Sequence, residues 1–272
     1  MPHKYFSVDG VATFVHHRGS TTLPDVPPDL SRGEAVLCLH GSGGNGNVFR
    51  AFSQALLDNH SPLAFDMPGH ARSGSLDSLG SIERMAEFTI AFSEKLSLRS
   101  PRVLLGHSLG GAVATEVALL APEQVRALVI LSTPIAFPDP DTLPDQVRLV
   151  TEGKQRRNFD RGAYAKDTPN EIVFRGFGED AKTDPRVLYG DLLAMRGWRA
   201  VADLEPLAAI QAPTLVLYGA DEGASQIEGC EKLASVIPNA RAQGIANSGH
   251  MIPLEQPAAL ADAVASFLGE LS

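Results

Sequence analysis

Continuous apolar strands that alternate with helical segments are the feature that most constrains how this chain folds. Several short runs of Val, Leu, Ile and Ala are each bounded by turn residues or by a segment with helical periodicity. A strand that is apolar on both sides must be covered on both faces, which is typical of a parallel sheet between two layers of helices. We therefore predict an α/β fold with a mostly parallel sheet, whose strands lie at 35–39, 62–65, 103–105, 127–131 and 214–218.

The two ends of the chain extend this pattern. An Asp9-Gly10 dipeptide between two apolar segments predicts an N-terminal β-hairpin. A weaker strand is expected near 240–245, and a closing helix is expected after Pro257, where apolar residues recur at helical spacing.

The alternation stops between residues 135 and 206. This stretch has no apolar strand run and many charges, and its helical patterns are short, as at 145–155 and 187–198. We predict a helical cap, or lid, inserted between two strands of the sheet. The core of the fold would then comprise 1–134 and 207–272, and the lid 135–206.

Charge and cysteine content limit the classes of partner. The chain of 272 residues has a net charge of -9, whereas a nucleic-acid or anionic-membrane surface needs clustered Lys and Arg. Cys38 and Cys230 form no paired motif, so neither a disulfide framework nor a zinc site is expected. The first residues lack the apolar core of a signal peptide, and no apolar run is long enough to span a bilayer. We expect a cytoplasmic protein whose partner is a small molecule; the oligomeric state stays open.

A glycine-rich loop after the strand at 35–39 allows two interpretations. Gly41, Gly43 and Gly46 form a G-x-G-x-x-G pattern, and Asp66 ends the next strand, as in a dinucleotide-binding site. The same backbone N–H groups can instead stabilise an oxyanion. A dinucleotide fold normally opens with this strand, whereas here a hairpin precedes it, which favours the oxyanion interpretation.

The segment Gly106-His107-Ser108-Leu109-Gly110 fits the G-x-S-x-G nucleophile motif. It lies between a strand and a helix, which is the context that this motif requires. Ser108 would stand at the helix N-terminus, where the Leu109 N–H and the helix dipole can stabilise negative charge. The alternative is a glycine-rich turn that holds a bystander serine.

A serine nucleophile needs a base, and a histidine base needs a carboxylate. His250 lies in a loop before the last helix and can reach the ends of the strands. By default we expect His3, His16, His17 and His60, in turns or edge segments, to lie at the surface.

Two acids compete to be the partner of His250. Asp221 and Glu222 both follow the strand at 214–218, in the chain order serine, acid, histidine. At least one of the two must be an ordinary solvated carboxylate.

These motifs together resemble the α/β-hydrolase superfamily over nearly the whole chain. His40–Gly43 resembles the oxyanion loop of the family, and Asp66–Ser73 resembles its D-x-P-G-x-G-x-S turn, with Ala71 in place of the second glycine. Gly106–Gly111 resembles the nucleophile elbow, and Gly249-His250 resembles the histidine loop. The resemblance implies that Ser42 and Leu109 supply the oxyanion N–H groups. It also implies an acid three residues after Gly219, which favours Glu222 over Asp221.

The resemblance implies an acyl-transfer reaction without any cofactor or metal. A carboxylesterase for small or medium acyl esters fits best. Ser108 speaks against the dehalogenases and epoxide hydrolases of the superfamily, which carry aspartate there. Met251 occupies the place of a tryptophan in the carbon–carbon bond hydrolases, which weakens that alternative.

Several alternatives to an esterase stay open. Lactonases and thioesterases share the triad, and a hydrolase-like ligand receptor with slow turnover belongs to a different class. The apolar residues of the lid would either line an acyl pocket or only anchor the lid. These residues are Ile135, Phe137, Val173, Phe174, Phe177, Leu192, Met195 and Trp198.

Overall fold

The computed structural model describes residues 3–20, 26–98, 100–133, 135, 142–198 and 203–271. Eight strands form one sheet in the order β1-β2-β4-β3-β5-β6-β7-β8. The strands are β1 (His3–Val8), β2 (Val11–His17), β3 (Ala35–Leu39), β4 (Ser61–Phe65), β5 (Arg102–His107), β6 (Val125–Leu131), β7 (Thr214–Gly219) and β8 (Ala240–Ile245).

Strands β3 to β8 pair in parallel, and only the N-terminal hairpin is antiparallel to its neighbours. The helices are α1 (Arg50–Leu56), α2 (Ile82–Lys95), α3 (Leu109–Leu120), α4 (Thr142–Thr151), α5 (Asn170–Asp180), α6 (Pro185–Gly197), α7 (Ala224–Val236), α8 (Ile252–Glu255) and α9 (Pro257–Gly269). The predicted mostly parallel α/β architecture is confirmed. A 3₁₀ turn over Gly46–Phe49 leads into α1.

The sheet separates two apolar layers, as the continuous apolar strands require. Successive residues of β3 point to opposite faces, so Leu37 joins the layer with α2, α3 and α7, while Val36 and Cys38 join the layer with α1 and α9. Both cysteines are buried free thiols. Burial raises the pKa of the Cys230 thiol to about 12, so this thiol stays protonated and inert.

The expectation of surface positions for His16 and His17 is wrong. β2 lies between β1 and β4 rather than at the edge of the sheet, and both imidazoles are buried. His16 Nε2 lies 2.7 Å from Asp66 Oδ1, so burial of this ring comes with a polar partner. The pattern of apolar residues did not reveal that β4 pairs with β2 and so places it inside the sheet.

Helices α4, α5 and α6 stand between β6 and β7, where the sequence predicts a helical lid. We call residues 142–198 the insertion and the rest of the chain the core. The patterns at 145–155 and 187–198 correspond to α4 and α6, which begin three and two residues earlier and end four and one residues earlier. Residues 136–141 and 199–202 lie outside the described residues, so the boundaries 135 and 206 stay predictions.

Candidate active site

Ser108 lies at the tip of β5, in the turn that leads directly into α3. Its backbone φ of 54° lies in the left-handed region that residues with a side chain rarely adopt. A methyl group on Gly106 would collide with the Gly110 carbonyl, and one on Gly110 would collide with the Leu39 carbonyl. The two glycines of the motif therefore permit the sharp strand-to-helix turn that the sequence predicts.

The neighbouring strand holds this turn in place. The Ser108 N–H donates to the Leu131 carbonyl at 2.8 Å, and the Thr133 hydroxyl donates to the Ser108 carbonyl at 2.9 Å. Within the described residues, the Ser108 hydroxyl itself makes no hydrogen bond. It is therefore available to a ligand in the cavity that Ser108 lines.

His250 is held by a buried carboxylate. Its Nδ1 lies 2.8 Å from Glu222 Oε1. The other oxygen of Glu222 accepts hydrogen bonds from the Ser132 hydroxyl at 2.7 Å and from the Gly219 N–H at 2.8 Å. Because an ionised carboxylate only accepts, Nδ1 of His250 carries a proton, and in the neutral imidazole Nε2 then has the free lone pair.

The structure brings Glu222, and not Asp221, to the histidine. Burial opposes the charge of Glu222, but the hydrogen bond and charge of His250, with two further donors, hold the pKa of this carboxyl below its ordinary value. The Asp221 side chain is exposed, while its N–H donates to the Ser248 carbonyl at 2.9 Å. Glu222, which the resemblance favours because it lies three residues after Gly219, is the acid that contacts His250.

His107, which the sequence analysis did not single out, ties the elbow to the histidine loop. Its Nε2 lies 2.8 Å from the His250 carbonyl oxygen, and the two rings are 4.9 Å apart. Burial and then the charge of His250 lower the pKa of His107 to about 3. The ring is therefore neutral and donates through Nε2. The motif leaves this position open, so only the tertiary contact identifies it.

The two expected oxyanion donors lie beside Ser108. Ser42 lines the same cavity as Ser108 and His250. A Cβ on Gly41 would lie 3.2 Å from the Ser108 Cβ, which shows how closely the glycine loop approaches the elbow. Leu109 is the first residue of α3, where an N–H group has no acceptor within the helix.

The acid of the dinucleotide fingerprint has a structural use instead. Asp66 is buried, and its Oδ1 accepts hydrogen bonds from the Gly46 N–H at 2.8 Å and from His16 at 2.7 Å. Its Oδ2 accepts from the Arg72 N–H at 3.3 Å. A carboxylate engaged in this way is not open to a ribose hydroxyl. Ala71, in the same turn, has φ of 39°, which explains why the superfamily pattern has glycine there.

A cavity of about 400 Å³ joins the candidate residues. Its apolar wall comes from both the core and the insertion, and its ionisable side chains among the described residues are Asp160, Asp180, His107 and His250. Burial raises the pKa of Asp180 to about 6; the Arg157 charge opposes this shift and Glu179 adds to it. The lining comprises Gly41, Ser42, Gly44, Val48, His107, Ser108, Leu143, Asp160, Ala163, Asp180, Leu192, Met195, Gln226, His250 and Met251.

Of the apolar lid residues, Leu192 and Met195 line this cavity. Phe174 is not among its lining residues, and its side chain is 66% exposed. Ile135, Val173, Phe177 and Trp198 pack into the apolar layers, and Phe137 lies outside the described residues. The sequence analysis did not identify Val48, Leu143 and Met251 as residues of the cavity wall, because they lie in three separate segments of the chain.

A second buried carboxylate, Glu255, fixes the histidine loop to the insertion. It accepts hydrogen bonds from the Gly249 and Met251 N–H groups at 3.0 and 3.1 Å. It also accepts from the Ala165 N–H at 2.8 Å and the Thr168 hydroxyl at 2.5 Å. The backbone on both sides of His250 is thus held by one side chain.

No helix in the described part of the chain is both long and apolar enough to cross a bilayer. The described residues also contain no group of three or more His, Cys, Asp or Glu side chains arranged to hold a metal ion.

Comparison with known proteins identifies the family of the chain. A sequence profile of the α/β-hydrolase fold matches residues 34–257. The chain is 30% identical over 253 residues, 88% of its length, to the polyketide synthase ThaQ of Burkholderia thailandensis, of which it spans 12%. It is 28% identical over 250 residues to the pimeloyl-[acyl-carrier protein] methyl ester esterase of Cronobacter sakazakii, covering 87% of this chain and 93% of that one.

A solved structure shares the whole fold. The thermophilic esterase from Thermogutta terrifontis, with malate bound, superposes with a TM-score of 0.83 at 22% identity. The match covers 100% of this chain and 99% of that one. At this identity the likeness establishes a common architecture.

Proposed function

The chain belongs to the α/β-hydrolase superfamily, and on this premise we propose that it is a serine hydrolase that cleaves carboxylic esters of small or medium acyl chains. The arrangement of Ser108, His250 and Glu222 carries this proposal. The serine stands on a strained elbow in the same cavity as an imidazole whose Nδ1 is 2.8 Å from a buried carboxylate. Such an arrangement generates a serine nucleophile at neutral pH.

In the proposed mechanism, Nε2 of His250 takes the proton of Ser108 Oγ as the oxygen attacks the ester carbonyl. This contact is expected to tighten when substrate binds. The N–H groups of Ser42 and Leu109 stabilise the tetrahedral oxyanion, and Glu222 stabilises the imidazolium. The imidazolium then protonates the leaving alcohol. Water, activated in the same way, attacks the acyl-enzyme and releases the acid.

The cavity supports the substrate class. A volume of about 400 Å³ is at the lower end of the range for small-molecule sites, which fits short and medium acyl chains. Its walls are mainly apolar, and the carboxylates of Asp160 and Asp180 are its only acidic or basic groups besides histidine among the described lining residues. We therefore propose uncharged or cationic esters as substrates in preference to anionic ones.

The proposed function is tested by steady-state hydrolysis of p-nitrophenyl esters from acetate to decanoate, with wild type and Ser108→Ala side by side. We expect many turnovers in wild type, an optimum at a short or medium chain, and loss of turnover in Ser108→Ala with an almost unchanged Tm. Activity that persists in the variant would overturn the assignment of the nucleophile. A single burst without turnover would favour a receptor, and no reaction at all would favour carbon–carbon bond cleavage.

A further inference from the structure

A buried carboxylate of the insertion reaches the glycine loop beside Ser108. Asp191 lies on α6, and its side chain has 0% exposure. Its Oδ2 accepts hydrogen bonds from the Gly43 N–H and from His70 Nε2, both at 2.8 Å. Its Oδ1 accepts from the Ser78 hydroxyl at 2.6 Å. One side chain of the insertion therefore binds three separate segments of the core.

The partners of His70 show that Asp191 and His70 form a charged pair. His70 Nε2 faces the Asp191 carboxylate, and its Nδ1 faces the Pro68 carbonyl at 3.1 Å. Both neighbours can only accept, so both ring nitrogens carry protons. Burial opposes the charge, but Asp191 outweighs it and raises the pKa of His70 above its ordinary value. A buried imidazolium thus compensates the buried carboxylate.

The bond to Gly43 completes the fixation of the glycine loop. The Met67 N–H donates to His40 Nε2 at 3.0 Å, so His40 donates through Nδ1 to the Gly41 carbonyl at 2.9 Å. The Gly44 N–H donates to the same carbonyl at 3.0 Å. These bonds fix the peptide between Gly41 and Ser42, which carries the proposed oxyanion N–H. Asp191 fixes the next peptide, between Ser42 and Gly43.

Helix α6 packs against these segments without spare room. A Cβ on Gly43 would lie 3.0 Å from Leu188 Cδ1, and a Cβ on Gly190 would lie 2.9 Å from the Ser78 Cβ. The close contacts mean that a shift of α6 moves the loop as well.

We propose that Asp191 is a positioning residue for the oxyanion hole, and that docking of α6 through Asp191 assembles the Ser42 donor. This inference rests on the proposed function and deepens it. The insertion would then supply part of the catalytic geometry in addition to a wall of the cavity. Loss of the Gly43 bond frees the Ser42–Gly43 peptide to rotate, which weakens stabilisation of the transition state more than binding of the substrate.

The test compares Asp191→Ala with Asp191→Asn and wild type. Removing an oxyanion donor lowers kcat by about 10²–10³-fold, so a misplaced donor in Asp191→Ala is expected to lower kcat by roughly 30–100-fold. KM should change by less than about threefold, since the misplaced group acts mainly in the transition state. Asp191→Asn keeps an amide oxygen that can accept from the Gly43 N–H, so we expect it to restore part of kcat. The rate of phosphonylation of Ser108 by a fluorophosphonate should fall in the same order.

Asp184→Ala is the matched control. Asp184 caps the same helix by accepting from the Arg186 N–H at 2.8 Å, and it has no bond to the glycine loop among the described contacts. Its loss should lower Tm by weakening α6 while leaving kcat within about threefold of wild type.

Equal kcat and phosphonylation rates in Asp191→Ala and Asp184→Ala would overturn the inference. If Asp191→Ala does not fold, Asp191→Asn decides: an unchanged phosphonylation rate contradicts the inference, and a slower rate with unchanged KM supports it. A wild type that neither turns over esters nor reacts with the fluorophosphonate would refute the proposed function itself, and the inference with it.

Discussion

At the scale of single residues, Glu222 is the group on which the proposed base depends most directly. Glu222→Gln keeps the shape of the side chain but permits the wrong tautomer of His250. We expect kcat for a p-nitrophenyl ester to fall by roughly 10³–10⁴-fold, because Nε2 then carries the proton and cannot accept one from Ser108. Steady-state kinetics at saturating substrate measures this loss.

Asp221→Asn is the control for this prediction. The Asp221 carboxylate is exposed, and its backbone N–H, which the substitution leaves intact, makes the bond to the Ser248 carbonyl. Its kcat should stay within about twofold of wild type, as for most surface substitutions. Similar losses in both variants would contradict the assignment of Glu222 as the acid.

The sequence identifies those site residues that lie in short local motifs, and it does not identify those whose contacts are distant along the chain. Ser108 and His250 lie in short motifs with a defined strand, turn or loop context, and Glu222 follows from counting three residues beyond Gly219. Asp191 has no such motif, since its bond to Gly43 spans 148 residues. His107 and Glu255 were missed for the same reason, because their roles exist only once the loops have come together.

At the scale of elements, Glu255 joins the histidine loop to the insertion. In Glu255→Gln an NH₂ group replaces one oxygen and faces backbone N–H donors that then lose their acceptor. We expect the free energy of unfolding to fall by about 1–3 kcal/mol, the cost of leaving a buried donor unsatisfied. We also expect kcat to fall, because the backbone of Gly249 and Met251 loosens around His250. Urea denaturation and ester kinetics measure the two effects.

Glu228→Gln on α7 serves as the control for Glu255, since Glu228 is exposed. It should change the free energy of unfolding by less than about 0.5 kcal/mol. A Glu255→Gln protein as stable and active as this control would show that the histidine loop needs no bond to the insertion.

The elements themselves were predictable to different degrees. Strand β3 has the predicted bounds, because its apolar run lies between Glu34 and His40, and β8 lies where the weaker strand is predicted. The insertion was recognised by the absence of strands, but α5 was not predicted as an element. Its periodicity is weakened by the outward-facing Phe174, which is 66% exposed.

At the scale of the whole molecule, the charge of the cavity predicts a pH-dependent preference. Asp180 has a pKa of about 6, because its burial outweighs the Arg157 charge, and Glu179 adds to the shift. Above that pH the carboxylate is charged and attracts a cationic ester, and below it the group is neutral. The ratio of kcat/KM for butyrylcholine to that for its neutral isostere, 3,3-dimethylbutyl butyrate, should rise with pH by roughly fivefold, or about 1 kcal/mol.

Asp180→Asn separates this effect from the titration of His250. Both esters depend on the same base, so the base cancels in the ratio, and in the variant the ratio should stay flat with pH. The opposing charge of Arg157 and the neighbouring Asp160 and Glu179 remain in both proteins. A ratio that rises equally in the variant would place the selecting charge elsewhere.

The residue to which an acyl group becomes attached tests most directly whether Ser108 is the nucleophile. Wild-type protein is mixed with a p-nitrophenyl ester, quenched in acid during turnover, digested, and mapped by mass spectrometry. We predict one acyl group on Ser108, absent from Ser108→Ala. An acyl group on another residue, or turnover by Ser108→Ala, would contradict it.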